Sequence, residues 1–269
     1  DLPSDMIKAH NISVVPLYVN MGNREYRDGV DLSKNEFYDR LPMTSPFPTT
    51  ATPSPTVFQQ VYEQLYREGA TEILSLHISV ALSSMINNAV LAAREFNDAK
   101  VTVFDSQQLG LGIGFQALTA AEAIKAGRSM PEILALLQDQ IKRTHVFAAL
   151  DTLEYLKRSG RMNGVVSYLG NLLQIKPIML MYAGRPDSEK VRTRKRATAR
   201  IVELFQSMGP LERVALIHTH VPERAEALLN EVRDLIPDVP LMRTEISPVL
   251  GAHVGPGVVG FVCVKKTSE

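Results

Sequence analysis

The chain predicts an α/β fold in two lobes, a mainly parallel sheet flanked by helices over residues 1–150 and a second, mixed α+β lobe over residues 151–269. Three observations carry this. Through the first half, short β-branched runs alternate with helical patterns, the rhythm of a parallel sheet covered by helices. In the second half a long apolar run and a polar run meet at Gly-Arg-Pro, as in an antiparallel hairpin. The length, 269 residues, allows one large core or two modest ones. The boundary near residue 150 is approximate, and "LDTLEYLKRSGRMNG" (150–164) is a candidate crossing that would make the division discontinuous.

Each element has a local reason. "ISVVPLYV" (12–19), "TEILSLHI" (71–78) and "VTVFD" (101–105) are β-branched runs bounded by turns, hence strands. "PSPTVFQQVYEQLYREG" sets Val57, Val61 and Leu65 at helical spacing and stops at Gly69. "SMPEILALLQDQIKRT" opens with Ser129, Pro131 and Glu132, a capping box with proline in the first turn. Further on, "IKPIMLMYAGRPDSEKVRT" is the hairpin and "KRATARIVELFQSM" the helix after it. Strand "VALIHTH", helix "PERAEALLNEVRDLI", strand "PLMRTEI" and a last strand "GVVGFVCV" complete the chain.

Composition excludes several classes. Lys plus Arg and Asp plus Glu each number 29, so no global charge favours nucleic acid or an anionic membrane. Cys263 is the sole cysteine, which rules out a disulfide framework and a thiol-rich metal site and fits a reducing cytoplasm. No apolar run approaches the roughly 18 residues of a membrane span, so stable membrane insertion is not expected. The first residues, "DLPSDMIKAH", lack the plan of a signal peptide.

Four stretches invite a chemical reading. The loop "LPMTSPFPTTATPSP" (41–55), with five prolines and six hydroxyl residues, is either a stiff surface linker or a rim presenting Thr49, Thr50 or Thr52. In "LHISVALSSMINNAV" a strand ends at Ile78 and a helix starts near Ser83. Ser83 is then an N-cap or part of an anion site at the sheet's C-terminal edge. Arg161, between Gly160 and Gly164, is a solvated loop arginine or a fork for a carboxylate or phosphate. In "GAHVGPGVVG" (251–260), His253 is a satisfied turn residue or a functional imidazole on a stiff mount.

Other features read as structural. Gly110, Gly112 and Gly114 lack dinucleotide spacing and suit close helix packing. His218 and His220 share a strand face without a third ligand, so no metal site is expected. The basic run "KVRTRKRATAR" has no interleaved aromatics and reads as a solvated helix start rather than a nucleic-acid surface.

Taken together, "DLP", "VVPLYV", "YRDGVDLSKNEFYDRL", "PTTATPSP", "HISVALSS", "VFDSQQLGLGIG", "LDTLEYLKRSGRMNG", "LGNLLQIKPI", "KVRTRKRA" and "GAHVGPG" resemble, in order and spacing, the DegV family of bacterial fatty-acid-binding proteins. The resemblance implies a DegV-like fold with an acyl chain, such as palmitate, in a tunnel between two lobes. It also implies a non-catalytic carrier, without cofactor or metal, that presents the bound carboxylate to a separate fatty acid kinase. By motif, Thr50 matches the threonine of the family's Thr-Ser-Gln-Pro loop and Ser83 the serine of its Leu-Ser-Gly-Thr turn. Arg161 matches the arginine of its Gly-Gly-Arg loop, and His253 the histidine of its His-x-Gly-Pro-Gly turn. The resemblance makes these four the carboxylate site.

Here the loop reads Thr-Ala-Thr-Pro, the turn "LSSMI" lacks Gly-Thr-Tyr, Arg161 follows Ser-Gly, and Gly110 stands where serine is frequent. These differences bear on chain preference and tunnel shape. The family's usual opening strand is expected to be either trimmed or missing, since the chain begins at Asp-Leu-Pro. An alternative is an acyl-ester or acyl-phosphate processing enzyme using Ser83 or Thr50 with His253.

Overall fold

The computed structural model describes residues 1–162, 175–236 and 238–267. Its first part contains α1 (Ser4–Ala9), β1 (Tyr18–Met21), β2 (Arg24–Arg27), α2 (Lys34–Arg40), β3 (Thr49–Ala51) and α3 (Pro55–Arg67). After these come β4 (Glu72–His77), α4 (Ile86–Glu95), β5 (Lys100–Asp105), α5 (Leu111–Lys125) and α6 (Met130–Arg143). Then follow β6 (Thr144–Ala149), α7 (Glu154–Arg158), β7 (Lys176–Tyr182), β8 (Arg185–Val191), α8 (Arg194–Gln206), β9 (Leu211–His218), α9 (Pro222–Val232), β10 (Leu241–Glu245), α10 (Pro248–Val254) and β11 (Val259–Lys265). The stretch quoted above as "LGNLLQIKPI" lies largely outside the described residues.

The largest sheet has the order β10-β9-β11-β6-β7-β8, with β9 and β10 parallel and the other neighbours antiparallel. Its central strands are apolar on both faces because both are covered. Phe147, Ala149, Phe261 and Cys263 face α8 and α9 through Ile201, Phe205 and Leu229. Val146, Ala148, Val262 and Val264 face α5 through Leu111, Phe115 and Leu118. Alternation along each strand sends successive residues to opposite cores. At the hairpin, the turn falls on Ala183 and Gly184, both at positive φ (47° and 77°). That is the backbone of a tight two-residue connection, and it places Arg185 and Pro186 inside β8 rather than in the turn.

Among the named strands of the first part, only β4 and β5 pair in parallel. The residues before Tyr18 in "ISVVPLYV" take no strand; β1 instead centres an antiparallel sheet, β2-β1-β3. Two elements tie the parts of the chain together. β6, which precedes residue 150, pairs with β7 and β11. α10 lies late in the sequence, yet its Val249 and Ala252 are buried in one cluster with Val19, Phe37, Tyr38 and Leu41. Gly251 allows that approach, since a β-carbon there would stand about 2.5 Å from the Tyr38 hydroxyl.

The predicted capping box is present at α6: the Glu132 carboxylate accepts from the Ser129 amide at 2.8 Å and from its hydroxyl at 2.7 Å. The glycines of "GLGIG" work by close packing. A β-carbon on Gly112 would press on Gln108, and one on Gly114 would press on Leu111 and Leu2. Among the described residues, no helix is long and apolar enough to cross a membrane.

Candidate functional site

Thr50 and His253 meet although 203 positions separate them, with Oγ1 of Thr50 3.1 Å from Nε2 of His253. Thr50 sits on β3, opposite Val19 of β1, within the proline-rich stretch 41–55. His253 lies on the last turn of α10. The helix starts at Ser247 and Pro248, where Pro suits the first turn, and ends at Gly255 with φ 74°, a conformation that costs other residues strain. The histidine is therefore carried by a helix rather than by the Gly-Pro-Gly turn. The turn, two residues on, fixes where that helix ends.

Thr219, fully buried, clamps the turn. Its hydroxyl donates to the Gly255 carbonyl and accepts from the Val258 amide, both at 2.8 Å, and its carbonyl accepts from the Gly257 amide at 2.9 Å. In the sequence this residue stands between His218 and His220 and belongs to none of the four stretches singled out above. A threonine flanked by two histidines offers no local signal of such a role.

Burial holds His253 down to about 4, with the nearby Arg161 guanidinium adding to the effect, so the ring is neutral at pH 7. Its Nδ1 is buried and has no hydrogen-bond partner among the described residues. A neutral imidazole has one donor and one acceptor nitrogen. Nε2 can therefore give a proton to Thr50 or take one from it, according to the tautomer.

Arg161 is exposed, and its Nη1 donates to the Ser159 carbonyl at 2.6 Å. It lies close enough to act on His253 electrostatically. Ser83 is placed differently. α4 begins at Ile86 after Met85, so Ser83 belongs to the preceding turn, where its hydroxyl accepts from the Met85 amide at 3.2 Å. It makes no hydrogen bond to Thr50, Arg161 or His253 among the described residues. The link runs through Asn88 of α4, whose side-chain amide donates to the Pro53 carbonyl at 2.9 Å and to the Thr52 hydroxyl at 3.4 Å. Thr50, His253 and Arg161 thus form one group, with Ser83 tied to it indirectly.

The other stretches singled out in the sequence lie apart from this group. His220, at φ 57°, pairs with Asp39 at 3.0 Å and Glu245 at 3.5 Å. No group of three or more His, Cys, Asp or Glu side chains suited to a metal occurs among the described residues. In the basic run, Arg194 pairs with Asp151, Arg196 with Glu203, and Arg200 with both Glu189 and Glu203. A polar groove of about 590 Å³ lies beside this run, lined by residues such as Arg192, Arg196 and Glu203, and shares no residue with the Thr50–His253 pair.

A mixed α/β chain with a neutral hydroxyl–imidazole pair and one exposed guanidinium has the makings of a binding site for a single anionic group. The family model described as "Uncharacterised protein, DegV family" matches residues 1–266. A DegV domain-containing protein of Streptomyces coelicolor is 36% identical over 265 residues, covering 97% of this chain and 94% of that one. Protein DegV of Bacillus subtilis is 33% identical over 266 residues, with 97% and 94% covered. The chain belongs to the DegV family. Among solved structures, a fatty-acid-binding DegV family protein from Thermus thermophilus superposes with TM-score 0.90 at 35% identity, covering 99% of this chain and 96% of that one. DegV of Bacillus subtilis, described as a fatty acid binding protein, gives 0.89 at 32% identity, with 98% and 95% covered.

Proposed function

We propose that this chain binds a long-chain fatty acid such as palmitate in a tunnel between lobes divided near residue 150, with the carboxylate at Thr50 and His253. The contact between Thr50 Oγ1 and His253 Nε2, in a chain whose relatives are fatty-acid-binding proteins, carries the reading. Arg161 stands beside the pair, and Ser83 supplies a second hydroxyl from the turn that Asn88 anchors to the Thr50 loop. Sixteen carbons bring fourteen methylenes, roughly 11 kcal/mol of gross transfer energy at about 0.8 kcal/mol each. Association costs of about 4–15 kcal/mol absorb much of this, so the head group must be well satisfied if the complex is to persist.

Neutral donors suit that task. Hydroxyls and an uncharged imidazole bind a carboxylate without adding charge, and Arg161 at the rim can offset the extra negative charge of an acyl phosphate. A carrier that presents its ligand to a separate fatty acid kinase in the cytoplasm would use both properties. The alternative, an acyl-processing enzyme, has its hydroxyl–imidazole contact, but the buried Nδ1 of His253 has no carboxylate behind it among the described residues.

Native mass spectrometry of the purified protein is expected to show a bound fatty acid, with palmitate titration restoring it after delipidation. Repeated lipid-free preparations that bind no palmitate would sink the proposal. Turnover of an acyl ester or acyl phosphate, lost in Thr50→Val or Ser83→Ala, would replace it with the enzymatic one.

A further inference from the structure

The residues that hold Thr50, His253 and Arg161 in register belong to one short segment, 151–161. Tyr155, on α7, touches the segments that carry Thr50 and His253. Its ring lies 4.9 Å from that of Phe47, two residues before β3 and three before Thr50. Its other side fills the space over Gly255, where a β-carbon would overlap the ring, and Gly255 is two residues after His253. Six residues beyond Tyr155, the same segment delivers Arg161. Arg158 adds a cation over the Phe47 ring at 4.8 Å, so that the loop before β3 is held from both ends of α7.

Four residues before Tyr155, Asp151 repeats the arrangement. Its carboxylate occupies the space over Gly257, where a β-carbon would overlap it. Arg194 of α8 and Arg224 of α9 each donate to that carboxylate at 3.0 Å, and the Lys176 ammonium donates to the Asp151 carbonyl at 2.7 Å. Three elements of the six-stranded-sheet core thereby anchor one residue. Side chains 151 and 155 seat on glycines 257 and 255, while Thr219, just after β9, grips the same turn.

We propose that Tyr155 is a positioning residue of the head-group site, its ring the shared wall against which β3 and the α10 turn are set, and that Asp151 locks that wall in place. The inference rests on the carboxylate-binding reading of Thr50 and His253 only for its effect on ligand affinity. The wall itself is a property of the ligand-free protein. The phenol hydroxyl has no described partner, so the ring does the work and phenylalanine should replace it.

The test uses wild type, Tyr155→Phe, Tyr155→Ala and Asp151→Asn, with thermal melts to establish folding. Ring-carbon NMR of the ligand-free proteins follows His253, and palmitate titration gives affinity. Wild type and Tyr155→Phe are expected to titrate His253 near 4. In Tyr155→Ala, water and a displaced Arg161 should move the midpoint towards the ordinary histidine range. Affinity should fall about tenfold or more in Tyr155→Ala and stay within about threefold in Tyr155→Phe. Asp151→Asn should shift both readouts in the same direction by less.

An unchanged His253 midpoint in a folded Tyr155→Ala protein overturns the wall, and a moved midpoint with unchanged affinity overturns its role in binding. If wild type binds no palmitate, the carboxylate reading fails while the NMR arm still decides the wall. Should Tyr155→Ala not fold, Tyr155→Leu takes its place with the same readouts.

Discussion

Lowering the pH from 7.5 to 4 puts the burial of His253 to a quantitative test. The ring titrates at about 4 in the folded protein, against an ordinary 6.5. Above 6.5 it is neutral in both folded and unfolded states. Between 6.5 and 4 the unfolded chain takes up a proton that the folded one refuses, so the stability this residue contributes is lost as the pH falls through that window. At about 1.4 kcal/mol per pH unit the difference is worth roughly 3 kcal/mol, an upper figure for a ring that keeps some exposure. His77 and His145, also held near 4 by burial, act in the same direction and must be cancelled. Comparing wild type with His253→Gln does so. Urea unfolding at half-unit pH steps should show wild type losing up to about 3 kcal/mol more than His253→Gln between pH 7 and pH 4, so that the gap between the two stability curves changes by that amount. Curves that run parallel across the range would show that His253 titrates alike in both states, and the desolvated site would be refuted.

Thr50→Val keeps the side-chain shape but leaves both imidazole nitrogens unsatisfied. A stability loss of about 1–3 kcal/mol by urea unfolding and a weaker hold on palmitate by titration are expected. Fatty acid binding should take up a fraction of a proton near pH 5.5, because a carboxylate beside His253 favours its charged form. Calorimetry in two buffers of different ionisation enthalpy would detect this, and His253→Gln should abolish it. Leu137→Ala, at a fully buried site packed with Phe104 and Ile141, should cost about 2–5 kcal/mol and lower the melting temperature. Gly260→Ala would drive a β-carbon into the backbone of β6 at Phe147 and Ala148, and is expected to give little folded protein by circular dichroism.

The elements themselves were largely legible from local chemistry. Ser129, Pro131 and Glu132 start α6 because capping needs only neighbours within one turn. Val57, Val61 and Leu65 mark α3 for a similar reason, since amphipathic spacing is a one-dimensional signal. What misled was reach. "ISVVPLYV" has strand propensity throughout, yet only its end finds hydrogen-bonding partners in β2 and β3, and an unpartnered extended segment is not a strand. The "GRP" of the hairpin predicts the turn at residues 184–186, but positive φ at Ala183 and Gly184 starts it one residue earlier and leaves Arg185 and Pro186 in β8.

For the site, the sequence alone determined which residue types stand in which motif, and the family resemblance singled out Thr50, Ser83, Arg161 and His253. Tertiary structure decided how they are arranged. It brought Thr50 to His253 across 203 positions, seated His253 on a helix and left Ser83 tied to the pair only indirectly. It also gave Thr219, Tyr155 and Asp151 their roles, none of which any neighbour in sequence announces. The physical reason is that a cap or a hydrophobic stripe is satisfied within a turn or two of chain. The fit of a tyrosine ring over a glycine 100 residues away exists only once the strands between them have paired and the helices have packed.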